Sequence, residues 1–254
     1  MNISFIILVY NDSGSLPSLL AQLDQTLKSN FNNYEIIAVN DCSTDKSEEV
    51  LKSLQSHYPF LRIHTNQKNL NVGGAFQQGV AICKYEYIGY TDGDFQYDMR
   101  DITKYCEYLP EYHILTGYRF NRKDSVYRKI ASTFFNHLIT TFFQLKLKDV
   151  NSGLKIFDSQ KLKAIGSWST GASYDLEIIV KMKYQQSAKF KEVKINHKPR
   201  VHGKAMGLSG ANVANIIESL LYTLSIFHKK SFRNHVYKKL LTLVLFSISN
   251  KHKQ

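Results

Sequence analysis

Tyr87-Ile88-Gly89-Tyr90-Thr91-Asp92-Gly93-Asp94 is an apolar run that stops on two carboxylates separated by a glycine. Side chains alternate along an extended segment, so Asp92 and Asp94 face one side, and Gly93 lets backbone or ligand come close between them. Two carboxylates at a strand end suit a hard divalent cation carrying phosphate oxygens, since Mg²⁺ is commonly held by one or two carboxylates plus its substrate. The same residues would also serve as a polar turn after a strand. The residues upstream weigh between the two.

Ile3 to Tyr10 is a short β-branched apolar run that reads as a buried strand and stops at Asn11-Asp12-Ser13-Gly14, a turn and helix-cap cluster. Leu16, Leu19, Leu20, Leu23 and Leu27 then recur at helical spacing. A second strand, Glu35 to Val39, ends at Asn40-Asp41-Cys42, and Ser47 to Leu54 reads as a helix. A strand at Leu61 to His64, a loop with Asn69, Asn71, Gly73 and Gly74, and a helix from Ala75 to Cys83 lead into the strand that ends at Asp92. Such alternation predicts βαβ units on a mostly parallel sheet flanked by helices, an α/β fold. Ligands bind such sheets beyond the carboxyl ends of the strands, where Asn11, Asp41 and Asp92 all fall.

Four segments in order, ILVYND, EIIAVNDCSTD, NLNVGGAFQQG and YIGYTDGD, resemble the nucleotide-binding half of a family 2 glycosyltransferase with the GT-A, Rossmann-like fold. The resemblance implies that Asp41 hydrogen-bonds the donor's base and that Asp92 and Asp94 serve its diphosphate and metal. Leu8 stands where the family commonly has proline, and Cys42 where it commonly has glycine. TDGDFQYD is similar to the metal motif of dolichyl- and polyprenyl-phosphate sugar synthases, which makes Gln96 a third metal-facing residue. DVNSGLKIF (Asp149 to Phe157) resembles a segment of the same subgroup and implies that Ser152 and Gly153 lie near the acceptor. SYDLEII (Ser173 to Ile179) and HKPRVHGKAMG (His197 to Gly207) resemble its acidic segment and its basic loop over the donor. The donor site implied comprises Leu8, Tyr10, Asn11, Asp41, Gly73, Asp92, Arg119, His202 and Lys204. The Gln-x-x-Arg-Trp signature of processive polysaccharide synthases is absent, as the single tryptophan lies in Gly166-Ser167-Trp168-Ser169.

Composition sets outer bounds. A chain of 254 residues with 43% hydrophobic content can bury a core and is not a disordered one. Three cysteines without a Cys-x-x-Cys pair suggest neither a disulfide framework nor a zinc site, which fits a reducing compartment. The first residues enter a core strand with no basic n-region, so no signal peptide is expected. Residues 181–254 hold fifteen Lys and Arg against Glu192 and Glu218, so the whole +12 net charge is C-terminal. No nucleic-acid-binding motif accompanies that charge, and no nucleic acid partner is expected. Val213, Ile216, Ile217, Leu220, Leu221, Leu224 and Phe227 repeat at helical spacing, and lysines flank an apolar run, Leu240 to Ile248, too short to span a bilayer. The expectation is a GT-A domain over 1–210 and a basic amphipathic tail over 211–254 lying on anionic lipid at the cytoplasmic face. A second stripe, from Val126 to Phe143, reads either as membrane contact or as core.

Charge then suggests a mechanism. Departure of a nucleoside diphosphate puts negative charge on its β-phosphate, which Mg²⁺ or Mn²⁺ held by Asp94, Asp92 and Gln96 would offset, with Arg200, His202 and Lys204 assisting. A polyprenyl phosphate acceptor, with a second pKa of about 6, needs no general base. A sugar hydroxyl on a lipid-linked or surface glycan does, and Asp175, then Glu177, is the candidate. A binding protein without turnover is the reading from another class.

Overall fold

The computed structural model describes residues 1–120, 140, 141, 143–171 and 174–200. Seven strands form one sheet: β1 (Asn2–Val9), β2 (Asn33–Asn40), β3 (Leu61–Thr65), β4 (Tyr87–Asp92), β5 (Ile114–Arg119), β6 (Lys155–Asp158) and β7 (Phe190–Ile195), in the spatial order β3-β2-β1-β4-β6-β5-β7. β1, β2, β3 and β4 pair in parallel, β6 runs antiparallel between β4 and β5, and β7 runs parallel to β5. The sheet is therefore mostly parallel, as the alternating pattern predicts. β1 and β2 are buried along nearly their whole length because helices cover both faces, so their sequences are continuous apolar runs instead of alternating ones.

α1 (Leu16–Asn30) begins with Pro17 in its first turn, where a missing N–H costs nothing, and buries the leucine stripe against one face. Its five stripe leucines are all fully buried, each worth about 1.5–3 kcal/mol of burial. α2 (Ser47–Gln55) follows β2 on that face. α3 (Asn71–Ile82) covers the other with Ala75, Phe76 and Val80. This helix starts four residues earlier than the sequence suggests and takes in Gly73 and Gly74, which the sequence pattern assigns to a loop. Glycines weaken a helix, but here close packing requires them: a Cβ on Gly73 would lie 2.8 Å from Tyr174 Cβ and 2.9 Å from the Thr170 carbonyl oxygen. Gly73 N–H donates to that same oxygen (2.9 Å), and Trp168 Nε1 donates to the Gly73 carbonyl (3.0 Å).

After β4 a 3₁₀ turn (Met99–Asp101) and α4 (Ile102–Cys106) pack on α1. α5 (Ser159–Ala164) follows β6, and α6 (Tyr174–Gln186) carries the acidic segment. Phe143, the last residue of the second stripe, is buried in a cluster with Leu176, Ile179 and Val180, so that end is core. The rest of that stripe and the tail from 211 lie outside the described residues.

Gly73→Ala should lower the unfolding free energy by about 1–3 kcal/mol, the usual cost of overpacking. Urea denaturation checks this, with Gln78→Ala on the exposed face of the same helix as a near-neutral control.

Candidate active site

β1, β2 and β4 end at one level, with Leu8 opposite both Val39 and Asp92 and Val9 opposite Asn40. The chain leaves β1 toward β2 and β3 on one side, then returns to place β4 on the other, so the crevice at β1/β4 is where strand order reverses. Asn11 leaves β1 with φ +59°, and its side-chain oxygen accepts from the Thr44 (2.7 Å) and Asp45 (3.2 Å) backbone N–H groups, binding the β1 loop to the β2 loop. Tyr10 precedes it, half-buried. Asp41 is buried, and its Oδ1 accepts from Asn66 Nδ2 (2.7 Å) and the Leu70 N–H (2.8 Å). Asn69 Nδ2 donates to the Asp41 carbonyl (3.2 Å), so the loop before α3 wraps this residue. Cys42 has φ +61°, a conformation that favours glycine and accounts for the residue commonly found there.

Asp92 closes β4 and Asp94 follows it, both half-buried. Gly93 N–H donates to the Leu8 carbonyl (2.8 Å), and a Cβ on Gly93 would lie 2.9 Å from Asp12 Oδ2. The glycine therefore admits a third carboxylate, Asp12, which sequence reading treats as part of a helix cap. Arg200 reaches across from the segment after β7: one terminal nitrogen donates to Asp12 Oδ1 (2.8 Å) and Nε lies 3.7 Å from Asp94 Oδ2. Burial raises the Asp12 and Asp94 pKa values, and Arg200 opposes both rises. Asp92 is pushed up to about 8, first by burial and then by the negative charges of Asp94, Asp175 and Asp12, with Lys155 pulling the other way. Among the described residues no group of three or more His, Cys, Asp or Glu side chains is arranged to hold a metal ion.

The other expected site residues fall at varying distances from this centre. Ser152 and Gly153 precede β6, and Gly153 lies beside Asp92, because Tyr90 pairs with Lys155 in the antiparallel register. Asp175 sits in the first turn of α6, buried, with Oδ1 accepting from Tyr90 OH (2.6 Å) and Oδ2 3.0 Å from Lys155 Nζ. Burial raises its pKa against the pull of Lys155 and Tyr90. Glu177 is fully buried, accepts from the Ser169 N–H (2.8 Å) and pairs with Lys181 (2.6 Å), so it braces the loop before α6. Gly73 is a packing point against that same loop. Gln96 donates its N–H to Asp94 Oδ1 (3.1 Å) and its Nε2 to the Lys198 carbonyl (3.2 Å), while Lys198 N–H returns to the Gln96 carbonyl (2.7 Å). Arg119 makes a two-pronged pair with Asp149 (2.6 and 2.8 Å). His202 and Lys204 lie outside the described residues.

Residues 4–166 match the model of glycosyl transferase family 2. The chain belongs to this family. It is 27% identical over 255 residues to the dodecaprenyl-phosphate galacturonate synthase of Rhizobium johnstonii, across 94% of this chain and 71% of that protein. It is 27% identical to the undecaprenyl-phosphate 4-deoxy-4-formamido-L-arabinose transferase of Edwardsiella ictaluri, across 80% of this chain and 62% of that protein. Among solved structures, glucosyl-3-phosphoglycerate synthase from Mycobacterium tuberculosis in complex with Mn²⁺, UDP and phosphoglyceric acid superposes with a TM-score of 0.70 at 13% identity, over 87% of this chain and 78% of that one. That likeness establishes the GT-A fold. The enzyme is a family 2 glycosyltransferase with an α/β GT-A architecture.

The Asp92 shift has a consequence for stability. Its folded pKa, about 8, lies above its unfolded value, so ionising Asp92 opposes folding and the metal-free glycosyltransferase should lose stability as pH rises from about 4 through about 8. Asp92→Asn should melt higher than the parent at pH 8.5 in EDTA, with the difference narrowing at pH 5. Thermal melts at the two pH values check the sign. A variant that melts lower at pH 8.5 would contradict this account of the carboxylate cluster.

Proposed function

We propose that this enzyme is a metal-dependent inverting transferase that moves a sugar from a UDP- or GDP-linked donor to a polyprenyl phosphate. The observation carrying the reading is the carboxylate cluster at the β1/β4 switch point. Among the described residues Asp12, Asp92 and Asp94 gather around Arg200, while the charge of Asp175 is matched by Lys155, so negative charge is in surplus at the crevice. Hard oxygen donors with surplus negative charge fit Mg²⁺ or Mn²⁺. Two relatives named for dodecaprenyl- and undecaprenyl-phosphate sugars support the acceptor class.

Asp94 and Asp92 would hold the cation, which when bound supplies positive charge to the donor's diphosphate. Gln96 fixes Asp94 through its backbone N–H. Arg200 brings a guanidinium to the place where the leaving diphosphate gains charge, and such electrostatic help is often the largest catalytic contribution. Asp41, held by Asn66 and Leu70, forms the rim on which a nucleobase would rest. An acceptor phosphate oxygen attacks the anomeric carbon from the face opposite the leaving group, and no proton has to be removed from it near neutral pH.

One observation favours the phosphate over a glycan hydroxyl. Both oxygens of Asp175, the carboxylate that would serve as base, are engaged by Tyr90 and Lys155. Peripheral attachment to an anionic membrane at the cytoplasmic face goes with a lipid acceptor. No helix among the described residues is long and apolar enough to cross a membrane.

The test incubates the purified enzyme with UDP- and GDP-sugars, Mn²⁺ or Mg²⁺, and undecaprenyl phosphate in detergent. The expected product is a lipid heavier by one sugar, with nucleoside diphosphate released and anomeric configuration inverted. Asp94→Ala should lower its formation about 10²–10³-fold, and EDTA should stop it. Transfer to undecaprenol or to a glycan hydroxyl, with none to the phosphate, would overturn the acceptor assignment.

A further inference from the structure

Lys155 begins β6 with no exposed surface, in a run (Leu154-Lys155-Ile156-Phe157) that is otherwise apolar. A buried ammonium is costly unless paired and hydrogen-bonded. Nζ lies 3.0 Å from Asp175 Oδ2, donates to Tyr90 OH (3.2 Å) and donates to the Ser152 carbonyl. The last contact reaches toward the site. The Ser152 carbonyl and the Gly153 N–H belong to one peptide group, and that N–H donates to Tyr97 OH (2.8 Å). The peptide is thus held at both ends, by Lys155 from β6 and by Tyr97 from the segment after β4.

What the peptide does follows from its neighbour. A Cβ on Gly153 would collide with Asp92 Oδ2 and lie 3.1 Å from Asp92 Cγ and 3.2 Å from the Tyr97 ring. The Gly153 backbone is therefore a wall against one side of the Asp92 carboxylate. We propose that Lys155 is a positioning residue, whose buried ammonium locks the Ser152–Gly153 peptide against Asp92 and so fixes the direction in which that carboxylate meets a divalent cation. This rests on the metal-binding role given to Asp92 above. Partners that orient a metal ligand from behind are typically worth about 10–100-fold in metal affinity. A Lys155 that merely closed a core ion pair would affect folding and leave metal affinity alone.

The double variant Lys155→Met/Asp175→Asn separates these roles, because it removes both buried charges together and leaves neither unpaired. Tyr97→Phe removes the other anchor and keeps the ion pair. UDP or GDP, whichever the parent enzyme binds more tightly in EDTA, is titrated by calorimetry with and without Mn²⁺. Both variants should bind the nucleotide in EDTA as the parent does, while the gain in affinity conferred by Mn²⁺ falls, by about 10–100-fold in the double variant. A parent-like Mn²⁺ gain in both variants overturns the inference alone. A parent enzyme that gains nothing from Mn²⁺ overturns the metal reading beneath it and this inference with it. Should the double variant not fold, Tyr97→Phe decides by itself.

Discussion

Four carboxylates, Asp12, Asp92, Asp94 and Asp175, are drawn together at one end of the sheet, and the cost of burying their charges is the constraint around which the site is arranged. Like charges this close in a half-dry crevice either take up protons or gather cations. The fold supplies cations from two directions. Lys155 is fixed inside the sheet and attends to Asp175, while Arg200 comes in on the segment after β7 and spans Asp12 and Asp94. The first is sealed from solvent and belongs to the scaffold. The second stands at the mouth, held by one bridge between Tyr97 and His197 and by the paired backbones of Gln96 and Lys198. Asp92 feels the pull of Lys155, but burial and the charges of Asp94, Asp175 and Asp12 win and raise its pKa to about 8.

Loop geometry brings these groups together at a modest energetic cost. Asn11, Cys42 and Asn71 all take left-handed backbone conformations, each about 1–2 kcal/mol unfavourable for an ordinary residue and less so for asparagine. Asn11 offsets its own strain by accepting two backbone hydrogen bonds from the β2 loop. Cys42 carries the strain directly beside Asp41, where a glycine would not. Asp41 is nevertheless well held, because Asn66, Asn69 and Leu70 converge on it from the loop before α3.

The part of the site built on β1 to β4 is legible in the sequence because strand ends and helix stripes are local signals. The buried stripe of α1, the ends of β1, β2 and β4, and the placing of Asn11, Asp41 and Asp92 all follow from periodicity and turn residues. Longer-range facts were not legible. Gly73 and Gly74 read as loop because glycine disfavours helix, whereas the Thr170 backbone and the Tyr174 side chain demand the absence of a side chain there. Asp12 read as a cap because nothing nearby announces Arg200, 188 residues later. Lys155 carried the one usable hint, a lysine inside an apolar strand, which implies a buried carboxylate without saying which. Asp175 stands out in the sequence as a carboxylate, but its engagement with Tyr90 and Lys155 depends on strand order beyond β4.

These long-range contacts bind the two halves of the enzyme into one unit. Trp168 and Thr170, from the loop before α6, grip Gly73 at the start of α3, and Glu177 braces the same loop through Ser169. One turn away, Asp175 takes hydrogen bonds and charge from β4 and β6. Movement of α6 would therefore be felt both at the helix that follows the Asp41 wrap and at the peptide beside Asp92. The sheet's change of direction at β6 serves the same end: only an antiparallel strand next to β4 brings its starting residues, Ser152 to Lys155, to the carboxyl end where Asp92 stands. A parallel neighbour would have delivered its first residues to the opposite edge, and the carboxylate would have lost both its wall and its buried cation.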